Sequence, residues 1–306
     1  MIHRFRALVF AVMCVMFMAL GVISLVGPGR PEPAEGPAVL PKTAVSPPPP
    51  PVAAPVTSED CSAPRDLEAA AQDNAAGLAT LSVAPFGVTE TGWAVYAPMV
   101  AREIGDACAP QTASFASALA RWQAAHSLTG AGRMDAATMS ALSITWALRR
   151  PFVLVASKAC PPPPGPTNLA MATPAESFGG KLLLARPAAL AAYRRMAAAL
   201  HGAVPDAPPL RIASAYRGPI EEALRCATGG CGTPGRARCS AHRTGLAFDL
   251  MLGNAPGADP FSTDPANRLY LAGTPTYLWL VANADRFGFV NYPYEPWHWE
   301  WTGEAA

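Results

Sequence analysis

The chain has 306 residues, enough for two compact domains with segments to spare. Its formal net charge of +1 removes any electrostatic case for nucleic acid, which asks for a concentrated positive surface. The 34 prolines fall in clusters, and those clusters mark boundaries between folded parts.

The first six residues, Met1-Ile-His-Arg4-Phe-Arg6, are basic, and the run from Ala7 to Val26 carries no charge. A helix of about 20 such residues spans the hydrocarbon core of a bilayer, and the positive flank keeps the N-terminus in the cytoplasm. The run is longer than a signal-peptide core, and no small-x-small site closes it before Gly27-Pro28. Residues 1–27 are therefore read as a membrane anchor, in preference to a cleaved signal. That reading places the rest of the chain in the cell envelope, outside the cytoplasm. Residues 28–57 are Pro- and Ala-rich, with Pro47 through Pro51 uninterrupted. Such a segment builds no core and favours extended polyproline II, with a reach of about 3.1 Å per residue.

Six cysteines lie beyond the apolar run: Cys61, Cys108, Cys160, Cys226, Cys231 and Cys239. In an exported chain an even number reads as disulfides. Cys61 and Cys108 are candidates to pair within one domain. The trio Cys226, Cys231 and Cys239 offers one local bridge and leaves a partner for Cys160. The full connectivity stays open, and a structural metal on the trio is the less favoured alternative.

Residues 58–150 form the next unit. Ser114 to Leu142 reads as helix, turn, helix: Phe115, Leu119 and Trp122 make one apolar stripe, and Thr129-Gly-Ala-Gly132 breaks it. Asp135 stands where an N-cap belongs, before Met139 and Leu142. Gly92 to Ile104 is a further helical candidate. Residues 151–166, with Pro161 through Pro164, read as a second linker. In residues 167–306, Arg186 to Leu200 and Tyr277 to Phe287 read as packing helices, Leu210 to Ala213 and Leu246 to Leu252 as strands. Trp297, Trp299 and Trp301 alternate along a last strand and are read as core or cleft wall.

Two short stretches of this last region carry chemistry. Ser240-Ala-His242-Arg-Thr-Gly245-Leu-Ala247-Phe-Asp249 and Glu295-Pro-Trp297-His298 together supply two imidazoles and two carboxylates. Three protein ligands with an open position, and a free carboxylate beside them, make the inventory of a catalytic zinc site. His242, Asp249 and His298 are the expected ligands of Zn2+, and Glu295 the general base acting on metal-bound water. Asp249 sits in an apolar strand, where an unpaired carboxylate is costly and a cation is expected. Pro296 favours an irregular entry that brings Glu295 and His298 to one side.

These stretches resemble the motifs of the bacterial zinc D-Ala-D-Ala carboxypeptidases and dipeptidases, including the vancomycin-resistance type. The family's S-x-H-x-x-G-x-A-x-D falls on Ser240 to Asp249, and its E-x-W-H on Glu295 to His298. Its S-x-Y-R falls on Ser214-Ala-Tyr216-Arg217, whose Arg the resemblance implies to stabilise the developing oxyanion or the substrate carbonyl. Ser240, Tyr216 and Trp297 are implied substrate contacts. The likeness covers about residues 178–304. Glu222 departs from it, standing where the family often has Gln. The Cys-rich stretch before Ser240 and the short segment between Phe289 and Glu295 also differ. Residues 118–142 resemble, over about 30 residues, the small helical peptidoglycan-binding domain found beside many wall hydrolases.

The expected architecture is α+β: a small antiparallel sheet with flanking helices carrying the zinc site, preceded by a small all-α domain and the N-terminal transmembrane helix. The expected activity is hydrolysis of the terminal D-Ala-D-Ala bond of peptidoglycan stem peptides. The alternatives are an L,D-carboxypeptidase or endopeptidase on the same scaffold, or a non-catalytic wall-binding protein. A pure binder has no need of Glu295.

Overall fold

The computed structural model describes Cys61 and residues 65–155, 160–232 and 239–303. The expected anchor and first linker, residues 1–57, lie outside them. Among the described residues no helix is long and apolar enough to cross a membrane.

The first part is helical. Helix α1 spans Glu68–Thr80, and a two-residue pairing of β1, Ser82–Val83, with β2, Glu90–Thr91, follows. Then come α2 (Ala97–Ile104), α3 (Ala113–Ala125), α4 (Ala136–Arg149) and the short α5 (Pro151–Val155). Capping sets the boundaries. The Thr112 side chain accepts from the Phe115 N–H at the start of α3, and Asp135 accepts from the Thr138 N–H at the start of α4. The apolar stripe Phe115, Leu119, Trp122 is buried. The turn between α3 and α4 requires Gly132: its φ is +67°, and a Cβ there would stand 2.5 Å from the Ala116 carbonyl oxygen. Two buried amides pin that turn. Gln123 accepts from the Gly132 N–H and donates to the Arg133 carbonyl, and Asn74 donates to Gly132 O and accepts from the Met134 N–H.

The second part carries the sheet. A small pairing of β3 (Ala170–Met171) with β4 (Leu184–Ala185) leads into α6 (Pro187–Ala203) and β5 (Arg211–Ser214). Helix α7 (Pro219–Gly229), β6 (Ala247–Met251), α8 (Pro265–Ala272), α9 (Pro275–Asn283), β7 (Phe289–Asn291) and β8 (His298–Trp301) complete it. The sheet runs β5-β6-β8-β7, antiparallel throughout. This is the α+β arrangement with a small antiparallel sheet. Tyr193 of α6 stacks on Phe248 of β6 with centroids 5.9 Å apart, and its hydroxyl donates to Leu210 O. Phe289, Trp299 and Tyr277 close the core around them. All four residues of β8 are buried, Trp299 and Trp301 on one face and His298 and Glu300 on the other, so the strand is covered on both faces.

Three segments differ from expectation. Cys226, in the Cys-rich stretch before Ser240, lies within α7, which Pro219 starts at its first turn and Gly230 ends. Helix α8 starts at the Asp264 cap, which accepts from the Ala266 N–H. The stretch after residue 150, expected as linker, begins as α5. Cys160 takes its partner from the cysteine trio, as expected, and is bound to Cys239. The other bridges join Cys61 to Cys108 and Cys226 to Cys231.

Pro49–Ala306 make one compact unit. Within it the helical part meets the sheet part through ionic and aromatic contacts. Arg268 of α8 is buried and pairs with Glu90 at 3.0 Å, and it donates to the Tyr96 hydroxyl. Arg102 of α2 pairs with Asp285 at the surface, and Phe86 packs edge-on against Tyr292.

Candidate active site

Strand register brings the site together. Asp249 of β6 lies opposite His298 of β8 on one side and Ser214 of β5 on the other. His242 comes from the 3-10 turn Ala241–Thr244 just before β6. Ser240 opens that turn by accepting from the His242 N–H, and Gly245 closes it with φ +72°. A Cβ at Gly245 would meet Leu169 and Arg186 at 3.2 and 3.3 Å, so the motif's glycine is needed both for its conformation and for the close approach.

Each imidazole has one nitrogen committed and the other turned to Asp249. His242 Nδ1 lies 2.7 Å from Ala215 O, and its Nε2 lies 3.2 Å from Asp249 Oδ2. His298 Nε2 lies 3.1 Å from Glu300 Oε1, and its Nδ1 lies 2.9 Å from Asp249 Oδ1. The three candidate ligand atoms are within 4.8 Å of one another. Acceptors on the far nitrogens fix which nitrogen is free to coordinate, the arrangement a metal-binding histidine requires. The donor set of two imidazoles and one carboxylate fits zinc.

Pro296 provides the expected turn. The Glu295 N–H donates to Tyr292 O and the His298 N–H to Glu295 O, so chain direction changes between Glu295 and His298. Glu295 Oε2 then stands 4.0 Å from His298 Nδ1. Arg217, buried, has Nη2 3.8 Å from Asp249 Oδ2 and donates to Ser214 Oγ at 3.1 Å. Its backbone N–H donates to His242 O.

Electrostatics sort these groups. Burial raises the Glu295 carboxyl above its ordinary value. Burial works the same way on Asp249, but the two histidines outweigh it and hold Asp249 ionised. Burial lowers His242, favouring the neutral ring. At His298 burial is overcome by the hydrogen bonds to Asp249 and Glu300, and the ring is raised to about 9. Glu300, despite its burial, is lowered to about 2, chiefly by Arg150 and then by His298.

These side chains face a cleft of about 670 Å³. Ser240 and Trp297 line it, Trp297 edge-on to Phe261. Tyr216, an expected substrate contact, is not among its lining residues; the Tyr216 hydroxyl lies beside Gly218. Arg150, Phe152 and Val153 contribute to the wall, as do Cys226, Cys231 and Cys239. Glu222 accepts from the Ser240 N–H at 2.8 Å and pairs with Arg243, so it holds the turn that bears His242. Sequence reasoning missed Glu300 and Arg150. Glu300 was findable, because residues two apart on a strand share a face; Arg150 carried no local signal.

A metallohydrolase class fits this site: three candidate ligands, a raised carboxyl and a guanidinium around one cleft. Residues 232–304 match the family described as VanY, D-alanyl-D-alanine carboxypeptidase. No curated protein matches the chain. Among solved structures it is similar to the LdcB LD-carboxypeptidase, with 23% identity over 46% of this chain and 70% of that one, and a TM-score of 0.34. It is also similar to the vancomycin-resistance D,D-pentapeptidase VanY of a VanB-type cassette, in complex with Zn(II). There the identity is 22% over 46% of this chain and 83% of that one, with a TM-score of 0.28. The matched residues include His242, Asp249, Glu295 and His298.

Proposed function

We propose that the protein is a zinc carboxypeptidase that removes the terminal D-Ala from D-Ala-D-Ala-ended peptidoglycan stem peptides. One observation carries this reading: His242, Asp249, His298, Glu295 and Arg217 all converge on one cleft. His242 Nε2, Asp249 and His298 Nδ1 would hold the ion. Zinc there supplies Lewis acidity and makes water a nucleophile near neutral pH. Glu295, with its raised carboxyl, takes the proton from the attacking water and passes it to the departing amine. Arg217 donates to the carbonyl oxygen as negative charge develops there, which favours the transition state over the ground state. Ser240 and Trp297 line the cleft and would border the substrate.

The rest of the chain suits work on the cell wall. In this reading residues 1–27 anchor the protein, residues 28–57 extend it away from the membrane, and residues 58–150 add affinity for peptidoglycan. Mass spectrometry of purified muropeptides, after incubation with zinc-loaded protein, tests the activity. Loss of one D-Ala from pentapeptides is expected. Loss of D-Ala from tetrapeptides would reassign the enzyme as an L,D-carboxypeptidase, and an internal cut as an endopeptidase. Intact muropeptides would overturn the enzymatic reading.

A further inference from the structure

We propose that Arg150, which the helical part contributes where α4 meets α5, is a positioning residue of the metal centre. It acts through Glu300 on His298. The proposal rests on the zinc reading of the His242, Asp249 and His298 cluster.

Four side-chain contacts carry it. His298 Nε2 and Arg150 Nε converge on one atom, Glu300 Oε1, at 3.1 and 2.8 Å. Arg150 Nη2 donates to the same oxygen. The guanidinium lies 4.1 Å over the Tyr292 ring, whose backbone N–H donates to His298 O. Glu300 is 1% exposed, and its second oxygen is buried with no hydrogen-bond partner among the described residues.

Charge balance gives the arrangement its meaning. A ligand imidazole is neutral once its other nitrogen holds the ion, so it no longer neutralises Glu300. The buried carboxylate then depends on Arg150 for its countercharge. Without that guanidinium the carboxylate is buried and unpaired, a costly state relieved by turning away from the ring. That response removes the charged acceptor that orients His298 and raises the basicity of its ring. His242 is oriented differently. Its Nδ1 meets the Ala215 carbonyl, a neutral backbone acceptor that needs no countercharge. One ligand is therefore set within the sheet part, and the other through an ionic relay into the helical part.

The plain alternative is a salt bridge that only joins the two parts. Arg102 with Asp285 is such a bridge, exposed and remote from the ligands, and it serves as the control. Zinc affinity of the full-length protein is measured by chelator competition for wild type, Arg150→Ala, Arg150→Lys and Arg102→Ala. Spectra of the cobalt-substituted forms report ligand geometry, and thermal unfolding of the metal-free proteins reports folding. Arg150→Ala is expected to weaken zinc binding about 10–100-fold and to change the cobalt spectrum. Arg150→Lys should recover part of the affinity, because it keeps the charge and loses the planar fork. Arg102→Ala should bind zinc as wild type does. Wild-type affinity with an unchanged cobalt spectrum in Arg150→Ala would overturn the proposal, as would an equal loss in Arg102→Ala. Should Arg150→Ala fail to fold, Glu300→Gln decides. It keeps an acceptor for His298 and removes the charge, so weaker binding is expected and unchanged binding overturns the relay. Wild-type protein that binds no zinc would instead overturn the zinc reading itself.

Discussion

His242 and His298 share a cluster but belong to regions built in different ways. The His242 region is local: a 3-10 turn opened by Ser240, closed by Gly245 and braced by Glu222, with a nearby backbone carbonyl as the ring's acceptor. The His298 region is assembled from distance. Its acceptor Glu300 is held by Arg150, 150 residues earlier in the chain. One side of a metal site can thus be set by a short motif while the other depends on tertiary packing. On the proposed relay, the second would transmit changes made in the helical part.

The comparison breaks completely at the ligands. His242→Ala and His298→Ala should each drop bound zinc far below one per chain, since two remaining ligands hold the ion poorly. Metal analysis checks this, and full occupancy in both variants would dissolve the assignment. Glu295→Ala should leave zinc in place and lower turnover by about 10²–10⁴-fold. Zinc loss comparable to that in the histidine variants would make Glu295 a ligand.

Arg217→Ala sharpens the picture on the substrate side. With zinc retained, kcat should fall by about 10²–10³-fold, with a smaller change in KM. Arg217→Lys should not restore the rate fully. A steep rise in KM with kcat held would move Arg217 to the substrate's terminal carboxylate and keep the carboxypeptidase reading.

The smallest expected effect separates the two rings by pH. His298 is raised to about 9 in the metal-free fold, and His242 is lowered. The raised pKa means that His298 stabilises the metal-free fold fully below about 6.5, and that this contribution is lost as pH rises through about 9. Zinc must displace the His298 proton, so its affinity should climb with pH up to about 9, with proton release from His298 and none from His242 near neutrality. Calorimetric titrations in buffers of different ionisation enthalpy, on wild type and on Glu300→Gln, measure that release. Equal release in both proteins would place the proton elsewhere.

The same contrast explains what the sequence revealed. His242, Asp249, Glu295, His298 and Arg217 stand in short motifs, and strand periodicity located β5 and β6. Helix α3 showed through its buried stripe and α4 through its Asp135 cap. Helix α1 did not show, because it buries only Ala71 and Asn74 and has no apolar face to read. Helix α7 was hidden by the Cys- and Gly-rich stretch at and beyond its end, although Gly218-Pro219 marks its start. Tyr216 illustrates the limit of motif transfer: it holds its place in the pattern, yet it is not a lining residue of the cleft. Arg150 marks the limit of local reading, since nothing near it in sequence points to Glu300.

X-ray absorption at the zinc edge of the metal-loaded, full-length protein tests the central claim most directly. Two imidazole nitrogens and carboxylate oxygen in the first shell, without sulfur, is the predicted result. Sulfur ligation, or a shell with fewer than two imidazoles, would contradict the assignment of His242, Asp249 and His298.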